Sequence, residues 1–196
     1  MPTFSLADAL RYFFSSFAIL FFLAVAEPDV VKRLQEQFSV VGTVAALVTG
    51  TSLYFLYRYY VYDWLILWLH DYFRKRNYRT FIADRYKLPR YKLSTTITAN
   101  RVYAFAAEDH FGHPARPIRA AGVHMLYQVG LWAIPFAVYA AFYKDWREIV
   151  FFCAVTVIFL GAAFGLDARF EDEELLLLQD RLDKLDKAAK QFIGQS

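Results

Sequence analysis

Residues 149–166 read IVFFCAVTVIFLGAAFGL, eighteen positions without a charge. A helix needs about 20 mostly apolar residues to cross a hydrocarbon core ~30 Å thick, because no water there satisfies loose backbone groups. The next eight residues, DARFEDEE, hold five acids. So abrupt a change from apolar to charged residues predicts a helix that leaves lipid near residue 166.

Three more blocks approach a spanning length. Residues 12–26, YFFSSFAILFFLAVA, become adequate once Ala9 and Leu10 join them. Residues 40–57, VVGTVAALVTGTSLYFLY, continue past Arg58 into YYVYDWLILWLHDYF. Residues 122–143 read GVHMLYQVGLWAIPFAVYAAFY. The sequence therefore predicts an all-α polytopic membrane protein with four transmembrane helices, a basic cytoplasmic loop and a C-terminal amphipathic heptad helix. The first block ends in Ala24-Val25-Ala26, which looks like a signal-peptidase site. Asp8 beside Arg11 leaves the segment before it barely basic, so the block is expected to stay as a span.

Composition agrees with lipid. Of the 196 residues, 58% are hydrophobic, 19% aromatic and 21% charged, with a net charge of +3. That excludes a disordered tail or a nucleic-acid arm. The single Cys153 excludes an intrachain disulfide and any Cys-based zinc site.

Orientation follows from lysine and arginine near the spans. Residues 74–119 carry eleven of them against three acids, whereas the other links carry one or two each. This middle segment is expected in the cytoplasm, and an even number of spans puts both termini there too. A bacterial inner membrane is the expected location. Four regions result: 1–73 with helices one and two, 74–121 as the basic loop, 122–166 with helices three and four, and 167–196 as the C-terminal helix. From Val40 to Phe73 no helix breaker occurs over 34 residues, about 51 Å of helix. Helix two should tilt, kink or continue as a stalk, leaving lipid near Arg58, where Tyr57, Tyr59, Tyr60, Tyr62, Trp64 and Trp68 form an aromatic belt.

In the middle segment aromatic and basic residues interleave. Arg76, Arg79, Arg85, Arg90, Arg101, Arg116 and Arg119 are the candidate contacts for a lipid headgroup or other anionic ligand, since guanidinium binds phosphate bidentately. The same mixture suits stacked nucleotides, but positive-inside bias alone accounts for the charge, and nucleic acid is not an expected partner. Residues 94–105, STTITANRVYAF, suit either a short strand or the start of a helix.

The C-terminal run places Leu175, Leu178, Leu182, Leu185, Ala189 and Phe192 at alternating steps of three and four, a heptad seam. Glu171, Asp172, Glu173 and Glu174 precede it, where a helix start favours negative charge. Gly161 and Gly165 have the spacing that lets helix backbones approach in lipid. The seam and this glycine pair are the expected contacts of a homo-oligomer; docking within the chain is the alternative.

Chemistry-bearing clusters are few. Glu108, His110 and His113 could offer donors to one transition ion if the backbone turns between them, but proline-flanked polar turns carry such residues without metal, and no cofactor is expected. His124 and Gln128 lie one turn apart on an apolar helix, Arg58 at the edge of another. They could line a pore or bond between helices. Pro135 removes one backbone bond from the same helix as His124. The sequence shows no glycine-rich phosphate loop and no nucleophile elbow. The expected function is a small homo-oligomeric membrane anchor, sensor or scaffold engaging membrane lipids and a cytoplasmic protein partner or ligand, without enzymatic activity. Two other functions fit the same features: a gated pore, and a membrane enzyme acting on a lipid or phosphorylated substrate.

Overall fold

A computed structural model describes residues 6–36, 40–74, 77–90, 92–108 and 115–193. Those residues form helices and turns, with no strand among them. In chain order the helices are α1 (Leu6–Ala26), α2 (Pro28–Glu36), α3 (Val40–Leu56), a π-helical stretch (Tyr57–Ile66), α4 (Leu67–Phe73), α5 (Tyr78–Arg85), α6 (Leu93–Ala106), α7 (Ala115–Tyr143), α8 (Trp146–Gln179) and α9 (Leu182–Phe192).

Two of these are long and apolar enough to cross a membrane: Ile118–Tyr143 within α7, and α8. In the most apolar window of α8 only 11% of residues are buried. α1 is 21 residues long, but its described apolar part, Phe14–Ala26, is shorter. α3 keeps α-helical pitch for 17 residues, and the ten that follow widen to π pitch around Arg58. Helical structure thus persists from Val40 to Phe73, as the absence of breakers predicts, with its departure from regular geometry at the aromatic belt.

The chain divides into two compact units. The first comprises Met1–Arg58 and Pro117–Leu166. At its centre Phe22, Phe136 and Phe152 pack with ring centroids 5.6–5.8 Å apart. Ala18, Ala26, Ala133 and Ala140 surround them, buried, and their small side chains let helices come close. Gly130 marks a close approach, since a Cβ there would lie 2.7 Å from the Leu160 side chain and 3.0 Å from its backbone nitrogen. Phe17, Phe21, Val138, Phe142, Val157 and Ile158 all face outward. An exterior this apolar is rare on a monomer surrounded by water.

The second unit comprises Tyr59–Arg116 and Asp167–Ser196. Its core joins Ile82 of α5, Val102 and Tyr103 of α6, Leu178 of α8, and Leu185 and Ala188 of α9. α5 begins with a capping box: Asn77 accepts from the Thr80 backbone N–H at 2.8 Å, and the Asn77 backbone N–H donates to the Thr80 hydroxyl at 3.1 Å. It ends on Lys87 at φ 56°, with the Leu88 N–H returned to the Ala83 carbonyl at 2.8 Å, the left-handed helix stop usually filled by glycine.

The heptad run departs from one uninterrupted helix. α8 continues through Gln179, the chain turns at Asp180 and Arg181, and α9 follows. Glu171–Glu174 consequently lie inside a helix that started at Trp146, away from its N-terminal dipole. The stretch 94–105 is helical, within α6.

Candidate functional site

α8 is about 51 Å long at 1.5 Å per residue, longer than a ~30 Å hydrocarbon core. Its uncharged part ends at Leu166, and the polar extension belongs to the second unit. Along that extension Asp167, Glu171 and Glu174 recur at steps of four and three, so they share one helix face. All three are buried. A buried carboxylate is costly unless paired, and for Asp167 and Glu171 the partners come from the π-helical stretch, α4 and α5.

His70 is fully buried, with Nδ1 3.0 Å from the Glu171 Oε2 and Nε2 3.6 Å from the Asp167 Oδ2. The Tyr62 hydroxyl donates to Asp167 at 3.0 Å. Arg79, 3% exposed, donates through Nε to Asp71 at 3.0 Å and through Nη2 to Glu171. Asn77 Nδ2 donates to the same Asp71 oxygen at 2.8 Å, which ties the network to the α5 cap. The side chains of His70 and Arg79 thus hold the acidic face of α8.

The electrostatics follow from burial and pairing. Desolvation alone would raise the Glu171 carboxyl, but the Arg79 guanidinium and the His70 bond outweigh it and hold the group below the usual carboxylate range. At Asp71 the order reverses: burial wins over Arg79 and Asn77, and the carboxyl lies above its ordinary value. Among its carboxylate neighbours Arg79 is held well above the ordinary guanidinium value, although its own desolvation opposes this. Desolvation pushes Glu174 up to about 8.

The site is closed. The space beside Asp71, Arg79, Thr80 and Thr95 measures about 10 Å³, and the cleft beside Asp63, Trp64, Trp68 and Lys92 about 40 Å³. A water molecule needs roughly 10–15 Å³ on this measure. The network can lock helices together, and neither of these two spaces has room for an organic substrate.

The basic residues expected to meet an anionic ligand are dispersed. Arg79 is in the buried lock; Arg85 forms a bidentate pair with Asp186 of α9 at 3.0–3.1 Å; Arg90 pairs with Asp84. Arg101 and Arg119 are exposed. Arg76 lies outside the described residues, as does the side chain of Arg116. His110 and His113 are likewise outside them, and Glu108 is exposed. Among the described residues no three histidine, cysteine or acidic side chains converge as a metal set.

In the first unit the polar residues do meet. The Tyr57 hydroxyl lies 2.9 Å from His124 Nδ1, and one turn on the Ser15 hydroxyl donates to the Gln128 Oε1. Gln128 is fully buried, and its Nε2 has no hydrogen-bond partner among the described residues. Arg58 is half-buried. Of the expected oligomer contacts, Leu178, Leu185 and Ala189 are buried within the second unit, with Leu182 and Phe192 packed against its core. Leu175 is half-buried; Gly161 and Gly165 face open space.

His70, Asp71, Asp167 and Glu171 carried no functional expectation from sequence. The available signal was the step of four and three among Asp167, Glu171 and Glu174, which is the spacing of a buried face as much as of a charged helix start. Compared with known proteins, the chain matches no family model, no curated protein and no solved structure.

Proposed function

We propose that the protein is a small homo-oligomeric integral membrane anchor, sensor or scaffold whose first unit is a four-span bundle and whose second unit is a cytoplasmic module that engages a protein partner or ligand. The observation that carries this reading is α8, one helix whose apolar stretch faces outward and whose extension supplies Asp167 and Glu171 to the buried lock. The Glu27–Lys144 ion pair at 2.7 Å supports the topology, because it joins the end of α1 to the end of α7, two links expected on the same outer face.

Carbonate-washed membranes should retain the full chain, and native mass spectrometry of the detergent extract should give more than one copy per complex. Release by carbonate would overturn the membrane reading. A monomer with no co-purifying protein would overturn the scaffold.

A gated pore is the second reading. It is favoured by Gln128, whose buried amide nitrogen sits one turn from the Tyr57–His124 contact inside an apolar unit. Ion flux through liposomes containing the full chain tests it; tight liposomes across pH and voltage would remove it.

A further inference from the structure

A cavity in the first unit lies between α1 and α7. It is an open groove of about 320 Å³ lined by Leu23, Ala26, Pro135 and Phe136, with Glu27 and Tyr139 at one end. Pocket size and lining fit the usual pattern of a ligand site: an apolar body and a few convergent polar groups. The short side chain of Ala26 and the compact ring of Pro135 leave the space that larger residues would fill.

The polar end has an unusual charge arrangement. Lys144 Nζ and the Tyr139 hydroxyl both bond the Glu27 Oε1, which leaves Oε2 available to a donor. Lys144 spends one donor on this pair and lies 5.9 Å from the Tyr139 ring centroid, so further N–H donors remain. The Glu27 and Lys144 side chains are about a third and a quarter exposed. One negative and one positive group therefore stand together at the mouth of an apolar slot. On either side of it Phe21, Val25, Val138 and Phe142 are exposed, so the groove opens onto an apolar surface.

We infer that this groove is a binding site for one membrane phospholipid with a zwitterionic headgroup. An acyl chain fills the slot along Leu23, Pro135 and Phe136. The headgroup ammonium donates to the Glu27 Oε2, and the phosphate accepts from Lys144. An anionic lipid would satisfy Lys144 but meet the Glu27 carboxylate with like charge. The Lys144 bond holds Glu27 below the ordinary carboxylate value, so it is ionised at neutral pH. The site rests on the membrane reading above and adds to it a specific lipid and a position.

The full chain, extracted in mild detergent and delipidated, is titrated with phosphatidylethanolamine and separately with phosphatidylglycerol, and adducts are counted by native mass spectrometry. One phosphatidylethanolamine per chain is expected, at least tenfold more occupied than phosphatidylglycerol at equal concentration. Leu23→Trp, which fills the slot, and Glu27→Gln, which removes the carboxylate from a partly exposed position, should each lower occupancy at least tenfold. Both variants should stay in carbonate-washed membranes with unchanged thermal unfolding. Equal occupancy by both lipids, or undiminished retention by Glu27→Gln, overturns the proposal even if Leu23→Trp misfolds. Loss of wild-type chain from the membrane fraction would instead defeat the membrane reading.

Discussion

Arg79 shows what a single residue does here. Its guanidinium faces two carboxylates from different helices, Asp71 and Glu171, and is almost wholly buried. Removing it leaves Asp71 without its cation and Glu171 with only His70, so Arg79→Ala should cost about 3–5 kcal/mol in chemical denaturation of the second unit. Glu174 works the other way. Its folded value of about 8 lies above the ordinary 4.5, so between those pH values the folded state holds more protons than the unfolded one. Its contribution to stability therefore falls as pH rises through that window. Glu171 is held low instead, and its contribution is lost only below its ordinary range. Glu174→Gln should remove the decline toward pH 8 and gain roughly 1 kcal/mol there, a value discounted for solvent screening. A wild-type melting profile that stays flat from pH 5 to 8 would contradict this assignment.

The element scale concerns the C-terminal leucines. An isolated amphipathic helix of three heptads is marginal in water, and it gains most of its stability by burying its apolar face. In α8 and α9 that face meets α6 of the same chain, with Leu178 and Leu185 fully buried against Val102 and Tyr103. Arg85 and Tyr86 add polar contacts to Asp186 at the rim. Leu185→Ala should cost about 2–5 kcal/mol through the cavity it leaves, whereas Leu176→Ala, at 62% exposure, should change stability by less than about 0.5 kcal/mol. Urea titration of both variants checks the contrast, and equal effects would mean that the seam is covered by something else.

For the whole molecule, the proposed membrane reading puts the second unit in the cytoplasm. With the exposed Cys153 replaced by alanine, single cysteines at Lys87 and Arg147 give the topology. A membrane-impermeant maleimide applied to intact cells should label position 147 and spare 87, and permeabilised cells should label both. Labelling of position 87 in intact cells would reverse the orientation.

The sequence determined the helical class, the positions of the apolar blocks and the sharp polar boundary after Leu166, because helix periodicity and apolar length are local properties of the chain. It also showed a long helix through Arg58 and a packing face on Leu178 and Leu185. Partners in the tertiary structure decided the rest. His70 meets Glu171 across 101 positions, and Arg85 meets Asp186 across the same distance in sequence. Glu27 and Tyr139, at one end of the groove, are 112 positions apart. A charge on a helix looks the same in sequence whether it faces water, a lipid or an acid from another helix. Only packing selects among them, since the cost of burying a charge depends on what lies within a few ångströms of it.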